Sequence, residues 1–480
     1  MNERYRKYIF FLSIIFVLIG IFFRFYQLNF ESYWWDEMLG FWVADPNISS
    51  DKTYYKCHFK LEQCRFDDTS IIFHFILKNY YRLFGYYPEL GRYVPFFFGA
   101  LSIPLIGILS YQVKKNSSYL LTILLISVNI YLINYSQETR YYSFVFFISI
   151  INLIFYYKIL SLHLVGSNRI YVFLLYILIS VFSLTLSPFV LIILFSQIAY
   201  CTYIFYFFKN KNYLFFLSVP IILVIYLSLN YEYLFYLASR RNHFVNPSDW
   251  RLIYDLFFPI FFGSLIMGLI YMFVLIFLII YLRKKIFFAP NNYLPLIFIL
   301  FFSYMIPLTY ELFVIPILAD RYIIFVLIPI IILITVLIFE IKKKYIRNIL
   351  ILFILIPTFI NHYLEIKSRK YVKPEFNNLF NYLNEDETKS LALLFDSSVD
   401  NTSLEIIENY IMSHSVIKKN NFKLFKIYNF PSELKKVWII CYGPFTGFDC
   451  RVPSDKGKNW ILLDDKKFHL VYAKLFRLKN

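Results

Sequence analysis

Apolar blocks of about 20 residues recur along most of the chain, and short polar gaps separate them. A helix of that length crosses the hydrocarbon core of a bilayer, and helices satisfy their own backbone hydrogen bonds there. The pattern predicts a polytopic α-helical membrane protein with about 11 transmembrane helices. The predicted spans are 8–28, 91–113, 118–135, 141–160, 170–186, 188–208, 213–230, 259–282, 293–311, 321–341 and 347–363.

Basic residues cluster in alternate gaps between these blocks, which is how positive charge sets the orientation of membrane helices. The clusters are Arg4, Arg6 and Lys7; Lys114 and Lys115; Lys209 and Lys211; Arg283, Lys284 and Lys285; and Lys342, Lys343, Lys344 and Arg347. They predict a cytoplasmic N-terminus. The loops 29–90, 136–140, 231–258 and 312–320, the short gap around Ser187–Pro188, and the tail after about 364 are then expected on the outer side.

Within the first outer loop, residues 70–85 mix Ile, Phe and Leu with His74, Lys78 and Arg82. This pattern predicts an amphipathic helix that lies on the membrane surface and ends at Gly85. The alternative is a buried transmembrane helix, which would invert every later loop.

The tail, residues 364–480, is polar and shows short patterned segments. Residues 390–395, 422–428, 436–441, 459–463 and 468–476 are typical of strands, and 403–412 of a helix. We therefore expect two units: a transmembrane domain, 1–363, and a small extracytoplasmic α/β domain, 364–480.

Composition agrees with the membrane class, because 59% of the 480 residues are hydrophobic and 22% are aromatic. A net charge of +17 would suit a nucleic-acid partner, but the basic residues lie in the gaps between spans. No nucleic-acid partner is therefore expected. The first block, 8–28, is too long for the core of a signal peptide and is interpreted as a retained anchor.

Four of the five cysteines form two close pairs on the predicted outer side. The disulfides Cys57–Cys64 and Cys441–Cys450 are plausible there, with free thiols as the alternative. Cys201 lies inside an apolar block.

Two adjacent acids, Asp36 and Glu37, follow the first span and stand in the aromatic segment 33–43. A charge near a bilayer is costly unless it is solvated or used. Aromatic neighbours would shield a carboxylate and raise its pKa towards the range of a general base. The alternative is an acidic pair in an interfacial aromatic belt.

Arginines stand at the predicted outer ends of three spans: Arg92, Arg140 and Arg321. Guanidinium groups match phosphate oxygens, so an anionic ligand is one interpretation. Local ion pairs, with Glu138 or Asp320, or head-group contacts are the alternative.

Together these segments resemble the glycosyltransferase family 39 membrane enzymes, which have the GT-C fold and include protein O-mannosyltransferases and the aminoarabinose transferase of lipid A. The resemblance covers about residues 8–345. Three departures concern the acceptor: the segment 67–73 is not proline-rich, Tyr141 stands where many relatives have proline, and the first loop carries an additional segment between Cys57 and Cys64. The matching positions are Asp36 and Glu37; Leu83, Phe84, Gly85 and Arg92; Gln137, Glu138, Arg140 and Tyr142; and Arg321, Tyr322 and Pro329.

The resemblance implies inverting transfer of a sugar from a polyprenyl-phosphate donor to a lipid, glycan or protein acceptor on the outer face of the membrane. Asp36 would be the base, and Glu37 would orient the acceptor or share a divalent cation, Mg²⁺ or Mn²⁺, which is compatible but not required. The donor phosphate would bind Arg140 and Arg321, with Arg92 weaker. Supporting residues would be Glu138, Tyr141, Tyr142, Asp320 and Tyr322. A bacterial inner membrane is the expected location.

Two other functions remain open. A polysaccharide ligase or polymerase would also use a lipid-linked donor, and its basic site would lie in 231–258, with Arg240, Arg241 and His243. A lipid-sugar transporter or flippase would predict paired helix breaks in two related halves, and the sequence has no such repeat.

Overall fold

The computed structural model describes residues 3–47, 70–161, 167–208, 220–229, 256–287, 292–314, 316–394, 401–426, 434–443 and 460–479. Cys57, Cys64 and Cys450, and the candidate ligase residues Arg240, Arg241 and His243, lie outside these ranges. Cys441 is disulfide-bonded, and its pairing with Cys450 stays a prediction. Cys201 is a buried free thiol.

The membrane part is a bundle of apolar helices. In chain order these are α1 (Glu3–Phe25), α2 (Trp35–Val43), α3 (Ile71–Phe84), α4 (Pro88–Gly91), α5 (Tyr93–Val113), α6 (Ser118–Ser127), α7 (Ile130–Ser136), α8 (Tyr142–Ser161), α9 (Ser167–Leu186), α10 (Leu191–Phe208), α11 (Pro220–Leu229), α12 (Phe258–Phe262), α13 (Leu265–Tyr281), α14 (Arg283–Phe287), α15 (Leu294–Phe313), α16 (Leu327–Glu340) and α17 (Lys344–Lys367). Short 3₁₀ helices, Pro188–Val190 and Asp320–Val326, precede α10 and α16.

Within the described ranges, seven helices are long and apolar enough to cross a membrane, or eight if one bent pair counts as a single span. Three of the predicted spans correspond to shorter apolar helices, α9, α11 and α13. The polytopic helical architecture is therefore confirmed, and the number of about 11 crossings stays a prediction.

The predicted span 118–135 is two helices, because α6 and α7 meet at an angle of 57°. The break has polar caps. The Oδ1 of Asn129 accepts from the amide of Leu132 at 2.9 Å, and Arg24 donates to the carbonyl oxygen of Ile126 at 3.0 Å. These contacts satisfy helix-end groups that the apolar sequence around them cannot pair. The bend determines where the following segment, 137–141, lies.

Helix α3 begins after Ser70, whose Oγ accepts from the amide of Phe73 at 3.3 Å, and ends at Gly85. Gly85 has φ 103°, a conformation that favours glycine. The helix has 14 residues, so it is about 21 Å long and too short to span a bilayer. It buries Phe73, Leu77 and Tyr81 and exposes Phe75. These features favour the surface helix over the transmembrane alternative.

The C-terminal domain, confirmed as a small α/β unit, contains α18 (Phe376–Glu385), β1 (Ser390–Leu394), α19 (Asn401–Ser413), α20 (Ser415–Lys419), β2 (Lys423–Lys426), β3 (Lys436–Tyr442), β4 (Trp460–Phe468) and β5 (Val471–Leu478). The sheet order is β2-β1-β3-β5-β4, with β1 parallel to β2 and β3, and β5 antiparallel to β3 and β4. Helix α18 was not predicted. The predicted strand 468–476 is divided by a turn at His469–Leu470, where Leu470 has φ 58°.

Candidate active site

The acidic pair lies in the first turn of α2, where the helix dipole favours negative charge. The short helix is held in place by its buried residues, which include Met38, Phe41 and Trp42. Asp36 and Glu37 follow each other in the helix, so their side chains point in different directions and meet different partners.

Glu37 is fully buried and ion-paired on two sides. Its Oε2 lies 2.7 Å from the Nζ of Lys373, and its Oε1 lies 3.6 Å from the Nη2 of Arg92. The amide of Thr139 donates to Oε1 at 2.8 Å. Burial alone would raise the pKa of Glu37, but Lys373 and Arg92 outweigh that effect and lower it. Glu37 is therefore held as a carboxylate by partners from three parts of the chain.

Arg92 is buried and bonds mainly to the backbone. Its guanidinium donates to the carbonyl oxygens of Leu28 and Ser32, each at 3.1 Å, and to that of Glu31. With Glu37 as a further partner, this arginine joins the end of α1 to the acidic pair. The contacts favour a structural role over the phosphate role expected from the resemblance, which stays untested.

Asp36 faces the other two arginines. The Nη2 of Arg140 lies 3.6 Å from its Oδ2, and the Nη1 of Arg140 donates to its backbone oxygen at 3.1 Å. Arg321 is within electrostatic reach of Asp36 and of Tyr142. The side chain of Asp36 is 14% exposed, whereas that of Glu37 is 0% exposed. Of the two acids, only Asp36 is open to a ligand.

Arg321 lies beside aromatic rings, 5.8 Å from the ring centre of Trp34 and 5.5 Å from that of Tyr322. Its Nε is buried and has no hydrogen-bond partner among the described residues, and the same is true of the Nε of Arg92. Arg92, however, bonds to the protein through its other guanidinium nitrogens, whereas the described residues give Arg321 no hydrogen bond or ion pair. Buried donors are normally satisfied, so Arg321 is the candidate for an anionic ligand.

The expected supporting residues lie around this centre. The carboxylate of Glu138 contacts the Nζ of Lys373 at 3.2 Å and the indole nitrogen of Trp34 at 3.3 Å. Asp320 accepts from the hydroxyl of Tyr135 at 3.4 Å. The rings of Tyr141 and Tyr142 lie 5.9 and 5.8 Å from the Arg140 guanidinium, and Tyr322 stacks on Phe189. The structure thus brings together residues that are about 280 positions apart in the chain.

A cavity of about 560 Å³ borders the site on the side of Lys373 and Glu138. One part is polar, with Asp320 and Arg369, and another is apolar, with Ile130 and Pro259. The bend between α6 and α7 contributes to its wall. The sequence did not reveal the cavity, because its lining comes from five separate segments.

Two site residues come from the C-terminal region and were missed from sequence. Lys373 follows the last membrane helix, and Tyr442 ends β3. Burial, and to a smaller extent the charge of Asp36, raises the pKa of Tyr442, which is therefore near that carboxylate. No local motif marks either residue, since a lysine after a membrane helix normally faces head groups.

The acidic pair does not fit a divalent cation. Among the described residues, no group of three or more His, Cys, Asp or Glu could hold a metal ion. The charges around Asp36 and Glu37 decide the matter, because Arg140 faces the first and both Lys373 and Arg92 face the second. Each acid is thus already paired with a cation of the protein, which disfavours a second cation beside it.

No protein-family model and no curated protein sequence matches the chain. Its fold is similar to that of ArnT from Cupriavidus metallidurans in the apo state, with a TM-score of 0.61 and 8% identity, over 96% of this chain and 97% of that one. The same enzyme bound to undecaprenyl phosphate gives a TM-score of 0.59 at 10% identity, with the same coverage.

The archaeal oligosaccharyltransferase AglB from Archaeoglobus fulgidus, in complex with an inhibitory peptide and a dolichol-phosphate, is also similar. Its TM-score is 0.50 at 10% identity, over 90% of this chain. This chain covers only 62% of AglB, which is less than two thirds of its length. These similarities confirm the predicted GT-C fold.

Proposed function

We propose that the protein is an inverting glycosyltransferase that moves a sugar from a polyprenyl-phosphate donor to a hydroxyl acceptor on the outer face of the membrane. The observation that carries the proposal is the setting of Asp36, a partly open acid that pairs with Arg140 and lies within electrostatic reach of Arg321. The Asp36 carboxylate can accept a proton, and the guanidinium groups of Arg140 and Arg321 can bind a phosphate.

Asp36 accepts the proton of the acceptor hydroxyl as its oxygen attacks the anomeric carbon of the sugar. The bond between that carbon and the phosphate oxygen breaks, and its electron pair leaves with the polyprenyl phosphate. Arg140 and Arg321 stabilise the charge that grows on this leaving group. The products are a glycoside of inverted configuration, a free polyprenyl phosphate and a protonated Asp36.

The remaining residues organise this chemistry. Glu37 anchors the first turn of α2 through Arg92 and Lys373 and so orients the neighbouring Asp36. Glu138 and Asp320 shape the wall of the adjacent cavity. No step requires a metal ion, since a phosphate already leaves readily.

The structural neighbours support the donor class. ArnT is described bound to undecaprenyl phosphate and AglB in complex with a dolichol-phosphate, and both share the fold of this chain. We extend that kind of ligand to this protein by proposal. A multi-pass protein in the bacterial inner membrane, with a cytoplasmic N-terminus and an extracytoplasmic C-terminal domain, would meet such a donor from the outer leaflet.

The test compares lipids from cells that carry the wild type, Asp36→Asn or the control Asp465→Asn at equal expression. Asp465 is an acid on β4, in the C-terminal sheet. Mass spectrometry should detect a polyprenyl-phosphate sugar that accumulates only with Asp36→Asn, since loss of a general base lowers the rate about 10² to 10⁴-fold. Equal lipid pools in all three strains, in a host shown to need the wild type, would contradict the proposed donor.

A further inference from the structure

The segment that leads into the C-terminal domain reaches back into the acidic site. Lys373 lies six residues beyond the end of α17, and its Nζ contacts both Glu37, at 2.7 Å, and Glu138, at 3.2 Å. It also lies 5.9 Å from the ring centre of Trp34, which precedes α2. One lysine therefore bridges two acids of the site and covers the start of the helix that carries Asp36.

The backbone around Lys373 is bound to the loop after α1. The carboxylate of Glu31 accepts from the amides of Val372, at 3.2 Å, and Lys373, at 2.9 Å. The ring of Tyr371 stacks on Phe30 with the ring centres 4.4 Å apart. These contacts fix the backbone position of Lys373, so less conformational entropy is lost when its Nζ pairs with Glu37.

The body of the C-terminal domain holds the same helix from the other side. Tyr410 of α19 stacks on Tyr33, with ring centres 5.5 Å apart and an interplanar angle of 17°. The indole of Trp42 donates to Glu405 at 3.4 Å. Tyr442 of β3 is close enough to Asp36 to feel its charge. The domain thus contacts the segment just before α2 and the last turn of α2, and Tyr442 lies within electrostatic reach of Asp36.

We propose that Lys373 is a positioning residue for the acidic pair and that docking of the C-terminal domain completes the active site. The expected effect of Lys373 on turnover rests on the proposed function. The expected effect of Lys373 on the position of α2 rests only on the contacts of Glu37.

The physical reason is the burial of Glu37. A fully buried carboxylate is stable only with charged or hydrogen-bonding partners, and removing one partner leaves an uncompensated charge. Without Lys373, Glu37 keeps Arg92 at 3.6 Å, the amide of Thr139 at 2.8 Å and the longer bond from the amide of Trp34 at 3.4 Å, none of which replaces the charge of the lysine at Oε2. We expect the first turn of α2 to shift, and Asp36 with it, because the two acids are adjacent.

The experiment uses the full-length protein in detergent and compares Lys373→Met, Lys373→Arg, Glu37→Gln and the double variant Lys373→Met/Glu37→Gln with the wild type. Lys370→Met is the matched control, since Lys370 is an exposed lysine of the same segment. Hydrogen exchange is measured over 34–43, and turnover is measured with the donor lipid that accumulates in Asp36→Asn cells.

Lys373→Met should speed exchange over 34–43 and lower kcat about 100-fold with less than about 2-fold change in KM, as a small misplacement of a reacting group does. Lys373→Arg should recover most of the loss. The double variant should be no slower than Glu37→Gln alone, because the unpaired charge is gone.

Unchanged exchange in Lys373→Met, or losses that simply add in the double variant, would overturn the inference. If no donor lipid accumulates and no variant turns over, the proposed function fails instead. The hydrogen-exchange comparison of Lys373→Met with Lys370→Met then still decides whether the lysine positions α2.

Discussion

The two sides of the acidic pair differ in how completely the protein satisfies their charges. On the Glu37 side, Arg92 and Lys373 bond to a fully buried carboxylate and to backbone or acidic groups around it. On the Asp36 side, the carboxylate is partly open, and among the described residues the Arg321 guanidinium has ring contacts but no hydrogen bond or ion pair. A buried Nε without a partner does not separate the two sides, because Arg92 has one as well.

This difference separates scaffolding from chemistry. A charge whose partners all come from the protein has little capacity left for a ligand, whereas a prearranged donor without a partner can stabilise charge that appears during a reaction. The acids are neighbours in sequence, yet we assign them different tasks for this reason.

The largest effect is expected at Arg321. Replacing it with Gln should lower kcat about 10² to 10³-fold, the usual loss for one donor that stabilises a developing negative charge. The thermal unfolding temperature should change little, since the arginine makes ring contacts rather than a set of backbone bonds. Steady-state turnover and thermal unfolding measure the two quantities.

Arg321→Lys should recover part of the rate, and Arg283→Gln, an exposed arginine distant in sequence, should match the wild type. If Arg321→Gln instead lowers the thermal unfolding temperature strongly, and the loss of turnover follows the loss of folded protein, then Arg321 has a structural role like that of Arg92.

Arg92 should show the opposite behaviour. Arg92→Met leaves Glu37 without one buried partner and frees three carbonyl oxygens, so we expect about 3–5 kcal/mol less stability. Thermal unfolding in detergent and the yield of folded protein are the measurements. Lys115→Met, which changes an exposed lysine just beyond the far end of α5, is the control.

A stable Arg92→Met protein that has lost only turnover would assign this arginine to the donor phosphate after all, as the resemblance implies.

The smallest effect concerns pH and the docked domain. The Nδ1 of His414 accepts a hydrogen bond from the amide of Val416 at 3.4 Å. Its Nε2 lies 3.1 Å from the Oδ1 of Asn377 and 3.4 Å from the Oε1 of Glu89. Burial lowers the pKa of His414 although Glu89 opposes the shift. A lowered pKa in the folded state gives stability that is present above the ordinary value of 6.5 and is lost as the pH falls.

Protection factors over 401–413, which are corrected for the intrinsic pH dependence of amide exchange, should therefore fall modestly as the pH drops from about 7 to 5. His414→Gln should remove this pH-dependent step. The lowered pKa of Glu37 predicts a separate loss of stability as the pH falls below its ordinary value of 4.5. A step near pH 6.5 that persists in His414→Gln would place the titrating group elsewhere.

The sequence predicted the candidate site better than it predicted the contacts inside it. The pair Asp36–Glu37 and the arginines Arg140 and Arg321 stand out because charges beside apolar helices are costly and rare. The structure brings them to one place. The residues alone did not distinguish Asp36 from Glu37, because both are acids in the same aromatic surroundings; the prediction that Asp36 is the base came from the resemblance.

The helices were predictable where periodicity is local. Capping and hydrophobic length marked α3 and most membrane helices within a few residues, and alternating apolar positions marked the strands of the C-terminal sheet. The bend before α7 was missed because its polar caps bond to other helices. Arg24 of α1 donates to the carbonyl oxygen of Ile126, and Asn129 donates to that of Phe261 in α12. The pattern of apolar residues within one segment does not record such contacts.

By itself, the sequence determined the class of the molecule: a helical membrane protein with an acidic pair, three arginines at helix ends and a small α/β domain after the last span. These features follow from hydrophobic length and from the cost of charge near lipid, which both act locally. Only the tertiary structure decided that Glu37 is closed and Asp36 open. That outcome depends on Lys373, which lies 336 positions away in the chain, and ion pairing over such separations leaves no local pattern.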